Sequence, residues 1–176
     1  MTGAELLEKV KTVLGEAVQH AELSLGDAVV HILPTALPKV ARILKEDPDL
    51  AFDYLSDIRG MDYLNMEREP RFEAVYELHS IGKNQTIRIR VGIPEDKPTV
   101  PSVAGLWRSA VFPERELHDM FGIRIEGLAD QRRLIMPENW EGHPLLKDYQ
   151  LTTEPVTFSF NRDYKSELVK SKPETR

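Results

Sequence analysis

Between Arg71 and Ile93 the chain twice alternates apolar and polar residues, a pattern that few arrangements other than a sheet can satisfy. Phe72, Ala74, Tyr76 and Leu78 alternate with Arg71, Glu73, Glu77 and His79; Ile87, Ile89 and Val91 alternate with Thr86, Arg88 and Arg90. Successive side chains on a strand point to opposite faces, so each run predicts a strand with one buried face. A third extended run, Phe52 to Met61, precedes them. The sheet needs a cover.

The cover lies upstream. Thr2 and Glu5 have capping-box spacing, and Leu6, Val10, Leu14, Ala17 and Val18 recur at helical intervals, predicting a first helix from about Gly3 to Val18. Gly26-Asp27 supplies a tight turn between Ala21 to Leu25 and the β-branched segment Ala28 to Leu33, which predicts a hairpin. Pro34 closes that strand, Thr35 is placed to cap, and Leu37, Val40, Ala41 and Leu44 mark a second helix that stops before Asp47-Pro48. The order helix, two strands, helix, three strands predicts an α+β fold: a two-layer domain of helices on a mixed sheet. The core is expected to end near Val91, where Pro94, Pro98 and Pro101 punctuate the chain. This divides it into an α+β core domain, residues 1–93, and a short motif helix with an extended docking tail, residues 94–176. Tyr164 to Arg176 reads as a polar, frayed end.

Composition removes several functions. A net charge of -6 argues against general attraction to nucleic acid or an acidic membrane surface. The chain has no cysteine, so it holds no disulfide, thiolate nucleophile or Cys-ligated zinc or iron–sulfur cluster. No run approaches the roughly 18 apolar residues of a membrane span. There is also no Walker loop, dinucleotide fingerprint or nucleophile elbow.

The densest chemistry sits between Phe112 and Tyr149. Pro113 suits a first helical turn, Glu114 and Glu116 favour the positive end of the helix dipole, and Gly122 suits a left-handed cap. So short a helix needs packing, which Leu117, Met120 and Phe121 offer. Glu114 with His118, and Arg115 with Asp119, are neighbours one turn apart. One reading makes Glu114, His118 and Asp119 the metal or acid–base site of an independent hydrolase. The other pairs these charges with each other and with basic groups on a subunit-facing surface, and composition favours it. Arg132 and Arg133 point to opposite sides of an extended segment, so one is expected to pair inward with Glu114 or Glu116. His143 is expected to satisfy backbone groups while Trp140 anchors the loop.

The runs Glu114-Arg115-Glu116-Leu117-His118-Asp119-Met120-Phe121-Gly122 and Arg132-Arg133-Leu134-Ile135-Met136-Pro137, with Trp140-Glu141-Gly142-His143-Pro144-Leu145 and Lys147-Asp148-Tyr149, resemble the C subunit of respiratory complex I, the proton-pumping NADH:quinone oxidoreductase. The resemblance implies a non-redox scaffold of the peripheral arm, docked on the large D subunit and its neighbours, steadying the module that delivers electrons to quinone. It implies no catalytic residue, metal or cofactor in this chain, with FMN, iron–sulfur clusters, NADH and quinone on other subunits. It implies no nucleic-acid partner, and membrane contact only through the assembled complex, on the cytoplasmic side of the bacterial inner membrane. It marks Glu114, Arg115, Glu116, Asp119, Met120, Phe121, Gly122, Arg132, Arg133, Pro137, Trp140, Gly142, His143, Pro144, Lys147, Asp148 and Tyr149 as motif and interface residues. The equivalent component of a membrane-bound hydrogenase-type complex shares the same resemblance. One departure is local: Leu128-Ala129 follows Gly127 where family members usually carry histidine and proline.

Overall fold

In the computed structural model of the chain, which describes residues 1–150, the capping box forms. The Thr2 hydroxyl accepts from the Glu5 N–H at 3.3 Å, and the Glu5 carboxylate accepts from the Thr2 N–H at 2.8 Å. The helix it starts, α1, spans Gly3–Leu14 and stops short of the expected Val18. Gly15 ends it at φ 53, and β-branched Val18 opens strand β1, Val18–Ser24. Strand β2, Asp27–Ile32, pairs back antiparallel. The turn lies one residue earlier than expected, on Leu25 and Gly26 with φ 52 and 96. Helix α2, Leu37–Glu46, is entered through a tight turn at Pro34–Ala36, and no side chain caps it, so Thr35 does not act as expected. Proline's fixed φ starts that turn directly.

Strands β3, Tyr54–Asp62, β4, Phe72–Ser80, and β5, Gln85–Ile93, complete a five-stranded sheet in the order β1-β2-β5-β4-β3. The β2–β5 pair is parallel and the others are antiparallel, which gives the expected mixed sheet. Leu6 and Val10 of α1 and Val40 and Leu44 of α2 pack over Val30, Tyr76, Ile87 and Ile89 in one apolar cluster. The α+β class and the helical cover stand as expected.

Two expectations are corrected. First, β4 is buried on both faces. The Arg90 guanidinium lies 2.7 Å from the Glu73 carboxylate, and Tyr63 donates to the same carboxylate at 2.8 Å. Arg88 pairs with Glu77 across the strands at 2.5 Å. Long side chains thus form a second cover over the polar side of the strand. Second, the core does not end near Val91. Val100, Val103, Trp107, Ala110, Leu117, Ile123, Ile125 and Leu128 join the same cluster, and the Trp107 indole N–H donates to the Phe52 carbonyl at 3.1 Å. The prolines stop pairing with the main sheet but leave an extended segment able to bury alternate residues. It forms β6, Thr99–Pro101, which pairs in parallel with β7, Arg124–Glu126. Between them lies helix α3, Val111–Phe121. The end expected at Tyr164 to Arg176 lies outside the described residues.

Candidate functional site

Helix α3 carries the motif, and its position follows from its inward face. Pro113 sits in the first turn, and Gly122 takes φ 71 to end the helix with its N–H on the His118 carbonyl at 3.0 Å. Leu117 and Met120 are buried, and the Phe121 ring lies against β3 at Gly60. A Cβ at Gly60 would sit 2.4 Å from that ring, so only glycine admits this approach.

Glu114 is fully buried and pairs with no arginine among the described residues. Its two oxygens accept from the Ser102 hydroxyl and the Val103 N–H, both at 2.6 Å. Burial, only partly opposed by these two donors, pushes its carboxyl up from the ordinary value. Nearby, the Tyr76 hydroxyl is buried without a partner among the described residues, and burial together with the Glu114 charge pushes its phenol up. Glu114 therefore fixes the turn after β6 to α3.

Asp119, equally buried, is the hub of the site. One oxygen accepts from the Arg133 guanidinium at 2.7 Å; the other accepts from the N–H groups of Leu134, Ile135 and Met136 at 3.0, 2.8 and 2.9 Å. Burial alone would raise this carboxyl, but these four donors together hold it below the ordinary value. The expected inward arginine is thus Arg133, and its partner is Asp119 rather than Glu114 or Glu116. Arg132 faces outward, 74% exposed against 19% for Arg133, and binds Asp130 at 2.8 Å. Arg115 does not pair with Asp119. Its guanidinium donates to the Arg132 and Arg133 carbonyls, both at 3.0 Å.

The last carbonyls of α3 have no partner within the helix, and the following chain supplies them. The His143 Nδ1–H donates to the Asp119 carbonyl at 2.8 Å, and the Leu145 N–H donates to that of Met120 at 3.1 Å. His143 lies over Gly122, where a Cβ would come within 2.7 Å of its ring. Gly142, at φ 81, gives its carbonyl to Arg133 at 3.0 Å and lies under the Tyr149 ring. The Pro137 carbonyl accepts from the Trp140 backbone N–H at 3.0 Å, while the half-buried indole has its own N–H buried without an acceptor among the described residues. Pro144 is half-buried.

Sequence reasoning missed the pair that ties this tail to the sheet. Asp62, at the end of β3, accepts from Arg71 at 3.0 Å and from the Lys147 N–H at 2.9 Å, while Arg71 also donates to Asp148 at 2.8 Å. The only signal was an acid and a base at the ends of two neighbouring strands. Burial would raise the Asp62 carboxyl, but Arg71 and the N–H groups of Lys147 and Leu64 bring it down to about 2. Its folded value lies below the unfolded value of about 3.9. Its contribution to stability is therefore complete above the unfolded value and lost as pH falls through about 2. The urea midpoint is expected to drop over that interval, and the Asp62→Asn chain to show a shallower drop. Parallel pH profiles for the two would contradict this.

Glu114, His118 and Asp119 do not converge. They turn to Ser102, to the Ile123 carbonyl and to Arg133 respectively. Among the described residues, no group of three or more His, Cys, Asp or Glu residues could hold a metal ion. Leu128 is buried in the core, and the turn after it is held by Gln131 donating to the Ile125 carbonyl at 3.0 Å. Among the described residues, no helix is long and apolar enough to cross a membrane.

Residues 30–155 match the family model described as respiratory-chain NADH dehydrogenase, 30 Kd subunit. The C subunit of the NADH-quinone oxidoreductase of Roseiflexus sp. (strain RS-1) is 44% identical over 163 residues, covering 93% of this chain and 92% of that one. NADH-quinone oxidoreductase subunit 5 of Thermus thermophilus is 45% identical over 120 residues, 64% of this chain and 58% of that one. Among solved structures, the trypsin-resistant fragment (1-134) of Nqo5 superposes with a TM-score of 0.63 at 34% identity, covering 72% of this chain and 97% of the fragment. A chain of the membrane-bound sulfane sulfur reductase, an archaeal respiratory membrane complex, superposes with a TM-score of 0.73 at 20% identity over 94% of this chain and 96% of that one. At that identity the likeness is one of fold.

Proposed function

The chain belongs to the 30 kDa subunit family of the respiratory-chain NADH dehydrogenase, and from that premise we propose that it is a non-catalytic scaffold of the peripheral arm of an NADH:quinone oxidoreductase. It docks on the large D subunit and steadies the module that passes electrons to quinone. FMN, the iron–sulfur clusters, NADH and quinone are bound by other subunits. The chain reaches the cytoplasmic face of the bacterial inner membrane only through the complex. In this division of labour the α+β body runs on through Leu128 and includes the inward face of α3, and the chain that follows supplies the docking tail.

One observation carries this reading: Glu114, His118, Asp119 and His143 of the motif are committed to holding shape. Glu114 fixes the turn at Ser102 and Val103, Asp119 gathers residues 133–136, and His118 and His143 serve backbone carbonyls. A group so engaged positions a surface instead of moving a proton to substrate.

Trp140→Ala tests the reading, because the half-buried indole lies in the docking tail and brings no acid–base group of its own. The amount of intact complex in the membrane is expected to fall several-fold while NADH:quinone turnover per assembled complex stays near wild type. Normal assembly with collapsed specific activity would assign the tail a part in the chemistry.

A further inference from the structure

Where edge strand β3 meets α3 there is a groove of 370 Å³ lined by Glu116, Leu117, Phe121 and Leu145. Leu145 is 51% exposed, and Phe112, one helical turn before Glu116 on the same side of α3, is 61% exposed. Two large apolar side chains thus flank a carboxylate. Glu116 has no hydrogen bond or ion pair among the described residues, although it was one of the two acids, with Glu114, expected to receive an inward arginine. Among the described residues the groove's one cation is Arg59, already taken by Asp57 at 2.6 Å. An acidic charge therefore remains unanswered between two apolar patches.

The edge of β3 is a poor template for another strand. The Ser109 hydroxyl donates to the Leu55 carbonyl at 2.9 Å, and the Asp57 carboxylate accepts from the Ile58 N–H at 2.9 Å. With these backbone groups taken, a visitor engages the seam through side chains, which is how a helix seats in a groove.

We propose that the β3–α3 seam seats a helix of a neighbouring subunit that presents a lysine or arginine to Glu116, with apolar side chains one turn to either side against Phe112 and the Phe121–Leu145 floor. This rests on the scaffold reading above. The mutual burial of one acid and one base flanked by apolar contacts gives register and specificity together.

The test uses the tagged full-length chain expressed in its host, with Glu116→Lys and Phe112→Ser set beside Leu25→Ser, a fully exposed leucine at the distant β1–β2 turn. Glu116 in the groove and Phe112 one turn before it are both exposed, so the isolated variants are expected to melt with wild type. Recovery in the complex is expected to fall about tenfold or more for Glu116→Lys, several-fold for Phe112→Ser, and not at all for Leu25→Ser. Groove variants that assemble as well as Leu25→Ser overturn the proposal. So does a homodimer of the isolated chain that Glu116→Lys dissociates, which would give the seam to a second copy. Groove protection in the isolated chain that disappears on removing residues 151–176 would give it to the chain's own end and overturn the proposal as well. If the wild-type chain itself is absent from any complex, the scaffold reading fails first, an outcome distinct from selective loss of the groove variants.

Discussion

Replacing Asp119 by alanine is expected to destabilise the chain by about 3–5 kcal/mol, the range for removing one partner of a buried ion pair. The loss exceeds one salt bridge because the same carboxylate holds the N–H groups of Leu134, Ile135 and Met136 and neutralises the mostly buried Arg133. Without it those donors face a low-dielectric interior unpaired, and the segment they belong to gains more by peeling into water. Hydrogen exchange is expected to show lost protection at residues 134–136 and also at Leu145, whose N–H is held to the same helix end. Arg132→Ala is the control: its guanidinium is 74% exposed on Asp130, and its loss is expected to stay within about 0.5 kcal/mol. Equal melting of the two variants would contradict the central place given to Asp119.

The second large effect belongs to a residue with no side chain. Gly60→Ala puts a methyl group 2.4 Å from the Phe121 ring and 2.8 Å from Leu117, in a place where both the strand and the helix are fixed by other contacts. Overpacking of this kind costs about 1–3 kcal/mol. It acts on the seat of α3, so complex assembly is expected to fall along with the melting temperature. Gly82→Ala provides the comparison, because a Cβ there meets nothing within 4 Å. Matching melting temperatures for the two substitutions would mean that the helix approaches β3 less closely than these distances imply.

How far the sequence reveals this molecule depends on how far each interaction reaches along the chain. The strands were legible because period-two patterning is local, and the Thr2–Glu5 cap was legible because it spans one helical turn. The partnership of Arg133 with Asp119 was half legible: adjacent arginines must diverge, but which acid receives the inward one depends on how the chain folds back after Gly122. Glu114 illustrates the limit. Its spacing suggested His118, whereas burial and the return of the chain at β6 gave it Ser102 and Val103. The β6–β7 pair escaped notice because each strand is only three residues long and the two lie on either side of a helix. Asp62 and Arg71 read as ordinary strand-end charges until the tail laid Lys147 and Asp148 across them. Glu116, the other acid offered to the inward arginine, has no partner among the described residues and stands beside an open groove.

The most direct measurement of the central claim is to tag this chain in its native host, extract the membranes gently and run the extract on a native gel stained for NADH-dependent dye reduction. The chain is expected to migrate with a large assembly containing flavin and iron–sulfur clusters, and the same band is expected to stain with NADH. Migration as a small species without partners, with the stain elsewhere on the gel, would contradict it.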